Sequence, residues 1–159
     1  MILYFLRHGE AEEAGGDDEA RHLTERGRAQ LTAAGPLWRR LNLRPDAVLC
    51  SPLARARETA EIFCDALGAP GPTPDDDLRP GARWPQVGRA LARHPDARRI
   101  AFVGHEPDLS AVIAELSGAA SIRMRKGGLA CLEFPGVPEP GSGEIAWLID
   151  PDLYEPEAS

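Results

Sequence analysis

The chain has almost no lysine. Of its eighteen basic residues seventeen are arginine, and Lys126 stands alone. Acidic residues outnumber basic ones and the formal net charge is −7, which excludes a generally basic nucleic-acid-binding surface. Cysteine is also scarce. Cys50, Cys64 and Cys131 are widely spaced and form no CxxC pair, so neither a zinc ribbon nor a disulfide framework is expected. Cys50 and Cys131 sit in apolar runs and read as small buried residues. No long hydrophobic run occurs. Met1–Leu6 is the longest, far short of the ~20 residues a spanning helix needs, and it reads as neither a membrane span nor a signal peptide. A cytoplasmic protein is the default expectation. Aromatics make up only 6%, yet the hydrophobic share of 43% suits a folded domain and excludes disorder as the dominant state.

What is present is arginine, whose planar fork suits phosphate and carboxylate. An acidic body can still carry a small cationic pocket built from particular arginines. The 159 residues fit one domain, which should bury about two-thirds of the surface its unfolded chain exposes. We read residues 1–150 as that domain and 151–159 as a polar, poorly ordered tail.

Short apolar runs alternate with helical patterns. Ile2–Leu6, Ala47–Cys50, Arg99–Val103, Leu129–Phe134 and Ile145–Ile149 read as strands. Thr24 reads as the N-cap of a helix, with a kink or break expected at Gly35-Pro36. Ser51 is expected to cap a second helix with Pro52 in its first turn, ending at Gly68. Pro85 is expected to open a short helix, and Pro107 a further one closed by Gly118. Lys126-Gly127-Gly128 reads as a turn into a strand, and residues 69–85 as loop. The alternation predicts an α/β fold: a three-layer sandwich with a mostly parallel central sheet flanked by helices. The last two strands lack an intervening helix and are expected to pair antiparallel or to lie at the sheet edge.

Three segments follow strands: Arg7-His8-Gly9, Ser51-Pro52 with Arg55, and Gly104-His105-Glu106. Ligands of open α/β sheets bind beyond the carboxyl ends of the strands. Parallel strands would bring the three segments to one edge, where helix N-termini favour anions. Two arginines, two histidines and helix-end amides suit a phosphoryl group. Neutral imidazole is a good nucleophile near pH 7, and fixed guanidinium forks stabilise the charge spread over a phosphoryl transition state.

Leu6-Arg7-His8-Gly9-Glu10, Leu23-Thr24-Glu25-Arg26-Gly27, Ser51-Pro52-Leu53-Ala54-Arg55-Ala56 and Val103-Gly104-His105 resemble, in order, the histidine phosphatase superfamily, also called phosphoglycerate mutase-like. The short length resembles its SixA-type phosphohistidine phosphatase branch. The resemblance implies that His8 is transiently phosphorylated. It implies that Arg7 and Arg55 hold the non-bridging oxygens and that His105 donates a hydrogen bond. Arg21 matches a further arginine near the pocket. Neither metal nor other cofactor is implied, since guanidinium groups replace the metal electrostatically. The implied partner is a phosphorylated protein, with a phosphohistidine domain or a small phosphate ester as forms of substrate, and neither nucleic acid nor membrane. Mutases and ester phosphatases of the superfamily carry a mid-chain glutamate acid. This chain has Asp75-Asp76-Asp77 in the comparable stretch, leaving Asp77, Asp18, Glu10 and Glu106 as stand-ins. A catalytically silent phosphate-binding module is the reading from a different class.

Overall fold

The computed structural model describes residues 1–154. Its strands are β1 (Ile2–Arg7), β2 (Ala47–Cys50), β3 (Thr73–Pro74), β4 (Arg99–Gly104), β5 (Leu129–Glu133) and β6 (Glu144–Ile149). Its helices are α1 (Glu25–Arg40), α2 (Ala54–Leu67), α3 (Trp84–Ala92) and α4 (Asp108–Ser117). The sheet order is β3-β2-β4-β1-β5-β6. The pairs β2–β3, β2–β4 and β1–β4 are parallel, while β1–β5 and β5–β6 are antiparallel. The mostly parallel sheet is as expected. The antiparallel part is wider than a single edge strand, because β5 also runs against β1.

Side chains alternate across a strand, and that period divides the core in two. Tyr4, Leu6, Val48, Cys50, Ala101 and Val103 face one layer, with Leu31 and Trp38 of α1 and Phe63 of α2. Leu3, Phe5, Leu49, Ile100 and Phe102 face the other, with Val87 of α3 and Val112 and Ile113 of α4. The result is a three-layer sandwich. Both α2 and α4 end on a left-handed glycine, Gly68 and Gly118.

Four local expectations are corrected. No break occurs at Pro36, since α1 runs through it. The lost backbone bond and ring clash cost about 3 kcal/mol. Burial of Leu31, Ala34, Gly35 and Trp38 on either side of Pro36 outweighs that cost. Ser51 does not cap α2, whose N-cap is Leu53 with no side-chain bond. Residues 69–85 are not all loop: β3 adds a short edge strand, where Pro74 needs no ladder donor on its outer side. The tail reading fails for residues 151–154, which form a short turn with Tyr154 buried against Trp38. The Tyr154 hydroxyl donates to the carbonyl of Gly127 at 2.8 Å. The rest of that reading, residues 155–159, lies outside the described residues.

Candidate active site

Strand register builds the site. In the parallel β1–β4 pair Arg7 lies opposite Gly104, and the next backbone bond runs from the His8 amide to the Gly104 carbonyl at 3.1 Å. His8 and His105 therefore leave the sheet side by side, with ring centroids 5.3 Å apart. On the other side of β4, Cys50 lies opposite Val103, and the Ser51 amide continues the ladder to Val103. This places Ser51 Oγ 2.7 Å from His105 Nε2. Arg55, in the first turn of α2, completes the cluster. Arg7, His8, Arg55 and His105 thus meet at the carboxyl edge of the parallel strands.

His8 is 7% exposed. Its Nδ1 donates to the Gly9 carbonyl at 2.7 Å, which fixes the tautomer and leaves Nε2 with a free lone pair. Burial holds its pKa down at about 3, against a weaker upward pull from that carbonyl, and His105 together with the cations Arg55 and Arg7 lowers it further. His105 is held at about 4, chiefly by burial and then by Arg55. Both rings are neutral at pH 7. Burial also lowers the pKa of Arg7, opposed by Glu106.

Among the described residues, three buried side-chain polar atoms lack a hydrogen-bond partner: Arg7 Nε, Arg55 Nε and His105 Nδ1. Leaving such an atom unsatisfied costs about 1–3 kcal/mol. All three belong to the residues around His8. Buried nitrogens without partners concentrate at this one edge, where the guanidinium groups of Arg7 and Arg55 suit an anionic ligand.

Some contributors were missed by sequence reading. Thr59 accepts from the Gly9 amide at 3.1 Å and donates to the Arg55 carbonyl at 2.7 Å, fixing α2 to the residue after His8. Asp108 is buried; its carboxylate accepts from the Gly81 amide at 2.8 Å and from Arg83 at 2.7 Å, and its charge raises the pKa of His105 against the larger lowering effects. A Thr four residues after Arg55 and an Asp opening a helix were the available signals. Gly27 was visible only as part of a motif: a Cβ there would lie 2.3 Å from the Glu10 carbonyl, so the first turn of α1 closes on the His8 loop only with glycine.

Arg21 does not reach the cluster directly. It donates to the Glu12 carbonyl at 2.7 Å and to Asp18 at 2.9 Å. Asp18 is the carboxylate that touches the cluster, accepting from Arg55 through its backbone carbonyl at 2.8 Å and its side chain at 3.3 Å. The hydrogen bond from Arg21 and the charge of Arg55 hold Asp18 below the usual carboxylate range. Asp77 is committed elsewhere, bound at 2.6 Å each by Arg89 of α3 and by Arg93, the residue that caps that helix. Glu106 accepts from the amide and hydroxyl of Ser110 in α4. Glu10 accepts from Thr24 at 3.1 Å. Among the described residues no group of three or more His, Cys, Asp or Glu is placed to hold a metal ion, and no helix is long and apolar enough to cross a membrane.

A family model of the histidine phosphatase superfamily, branch 1, matches residues 3–80. An uncharacterized protein of Picosynechococcus sp. is 38% identical over 115 residues, covering 69% of this chain and 68% of that one. The mitochondrial serine/threonine-protein phosphatase Pgam5 of Drosophila virilis is 38% identical over 65 residues, which is 41% of this chain and only 22% of Pgam5. Among solved structures, the protein histidine phosphatase SixA complexed with tungstate has the same fold, with a TM-score of 0.86 over 98% of this chain and 100% of that chain at 23% identity. With the ordered motifs converging on His8, these matches show that the chain belongs to the histidine phosphatase superfamily.

Proposed function

We propose that the chain is a phosphohistidine phosphatase that works through a phosphorylated His8 and takes its phosphoryl group from a histidine on a protein. The observation that carries this reading is the trio of buried, unpartnered nitrogens on Arg7, Arg55 and His105 around a neutral His8. Phosphoryl oxygens supply the acceptors those nitrogens lack. His8 Nε2 attacks phosphorus as the P–N bond to the substrate imidazole breaks. Arg7, Arg55 and His105 stabilise the charge on the equatorial oxygens without reorganising. The departing imidazole takes a proton from solvent. Water then attacks the phosphoryl group on His8, releasing inorganic phosphate and neutral His8.

The carboxylates favour a nitrogen leaving group. An alkoxide needs a positioned proton donor, whereas imidazole has a pKa near ~6.5 and departs readily once protonated. Asp77 is held away by Arg89 and Arg93, Glu106 beside the cluster already accepts from Ser110, and the partners of Asp18 hold it below the usual carboxylate range. The likeness in fold to SixA along nearly the whole chain supports the same reading.

The test is turnover in EDTA of a phosphohistidine protein and of an unactivated alkyl phosphate by one preparation. We expect kcat/KM to favour the phosphohistidine protein, and an acid-labile, base-stable phosphoryl group on His8 after quenching. Equal values, or a preference for the alkyl ester, would replace this substrate with a small phosphate ester. Absence of any turnover, with phosphate still bound, would make the chain a binding module.

A further inference from the structure

A second cationic feature adjoins the catalytic cluster. A trough of about 280 Å³ is lined by Arg7, Arg26, Arg123, Arg125 and Lys126, with Glu10 as its acidic wall residue. Five cations face one carboxylate in a chain whose net charge is −7. Two of the five are already engaged: Arg125 with Asp150 at 2.9 Å and Asp152 at 2.8 Å, and Arg26 with Glu10 at 3.7 Å. Arg123 and Lys126 make no side-chain hydrogen bond or ion pair among the described residues, although Arg123 lowers the pKa of Asp150 through space. Arg7 is shared between trough and cluster, since its guanidinium donates to the Met124 carbonyl at 2.9 Å.

The segment that carries these cations is bolted to the catalytic strand end. The Gly127 amide lies 3.1 Å from the carbonyls of both Arg7 and His8, and the Gly128 carbonyl accepts from the Arg7 amide at 3.0 Å. Gly127 takes a φ of +83°, a conformation side chains rarely adopt, and the Tyr154 hydroxyl closes its carbonyl. Lys126 therefore lies in, and Arg123 just before, a turn whose backbone is held against His8. Cations carried on a backbone anchored beside a reacting phosphoryl group form a subsite for charge on the same molecule.

We infer that this trough binds a second anionic group of the substrate, a carboxylate or a phosphate, and that Arg123 and Lys126 determine specificity for it. This deepens the phosphatase reading and rests on it for the word substrate. On a phosphohistidine protein the second group is an Asp or Glu side chain close to the phosphorylated histidine.

Binding without turnover tests it. Alkylphosphonates of increasing length are titrated calorimetrically against the same chains ending in a carboxylate or in a second phosphonate. At the length that spans the two sites, the second anion should tighten binding about tenfold, as two partly screened ion pairs allow, and the gain should shrink with added salt. In the variant carrying Arg123→Gln and Lys126→Gln the gain should disappear, while the plain alkylphosphonate should bind within about twofold of wild type. A gain with carboxylate alone identifies a carboxylate site, and a gain with phosphonate alone a phosphate site. No gain at any length, a gain that survives the double substitution, or equal weakening of all ligands would overturn the proposal. Loss of turnover with the binding pattern intact would strike the phosphatase reading and leave the subsite standing.

Discussion

The two ends of the parallel strands carry similar charges and behave differently. At the amino ends of β2 and β4 lies a cavity of about 760 Å³ lined by Arg44, Asp46, Arg93, His94, Arg98 and Arg99. It is larger than the trough at the carboxyl ends and equally rich in arginine. Its hydrogen bonds are closed, however. Asp46 accepts from the amides of Arg98 and Arg99 at 2.8 and 2.9 Å, joining the β2 approach to β4. Arg93 is held by Asp75 and Asp77, and Arg44 by Asn42. Arg44, Arg93 and Arg98 are exposed, whereas Arg55 is only 6% exposed. The cost at the carboxyl end is met there and not at the other: buried nitrogens without partners. Size and charge alone do not make an anion site there, because the guanidinium groups of Arg44, Arg93 and Arg98 are already hydrogen-bonded and, among the described residues, no buried unpartnered donor lies beside them.

The largest effect that sharpens this contrast is loss of His8, the proposed nucleophile. His8→Ala should lower turnover by at least about four orders of magnitude, in line with removal of a covalent nucleophile elsewhere. The fold should persist, since the imidazole makes only its local bond to Gly9. Kinetics and circular dichroism on one sample check both halves. Phosphoryl label on another residue would sink the assignment.

Next comes the arginine fork. Arg55→Lys keeps the charge and loses the planar geometry, so activity should fall about tenfold to a thousandfold. Arg44→Lys at the opposite end should leave kcat/KM within about twofold, because an exposed arginine paired to Asn42 has little to lose. Equal effects of the two substitutions would erase the distinction drawn between the ends.

Stability should separate the ends in the reverse sense. Asp46→Ala removes the acceptor for two strand amides and should cost about 1–3 kcal/mol in denaturant unfolding while kcat is unchanged. At the carboxyl end the histidines are the acid-sensitive groups. Their folded pKa values, about 3 and about 4, lie below the ordinary value of 6.5, so between those limits the unfolded chain binds more protons. The stability from keeping them neutral is fully present above about pH 6.5 and is lost as pH falls toward about 3. Imidazole nitrogen NMR of the free protein should show His8 neutral at pH 5. A protonated His8 there would remove the basis for calling the pocket desolvated.

Much of the site was legible because it sits where short motifs meet regular topology. Arg7-His8, Ser51 and Gly104-His105 follow strands, and parallel register brings strand ends together whatever lies between. Arg55 follows from its place in the first turn of α2. The remainder depends on contacts between residues far apart in sequence. Thr59 meets Gly9 across fifty positions, and its place one turn after Arg55 marks only its local bond to the Arg55 carbonyl, not that contact. The trough combines residues near 26 with residues near 125, which no single motif spans. Pro36 misled because propensity is local, whereas burial of Leu31 and Trp38 is tertiary. Tyr154 misled because acidic and proline residues around it mask one aromatic that fills a gap beside Trp38.

The smallest effect belongs to Asp18, and it divides two roles that its position allows. Its backbone carbonyl and carboxylate occupy the terminal nitrogens of Arg55, the groups a phosphoryl oxygen needs. Binding of phosphate must therefore displace the carboxylate or share the guanidinium with it. Asp18→Asn keeps the shape and removes the charge, so inorganic phosphate should inhibit more tightly. The gain should be only about twofold to fivefold, because the Asp18 side chain is 56% exposed and solvent screens its pull on Arg55. Under this role kcat is unchanged, and the change appears in KM and in the inhibition constant. A proton donor would behave in the opposite way. Asp18→Asn would then lower kcat, most for alkyl phosphates whose leaving group needs the proton, and least for phosphohistidine. Measuring kcat and the phosphate inhibition constant for the same variant on both substrates decides between a competitor for Arg55 and an acid.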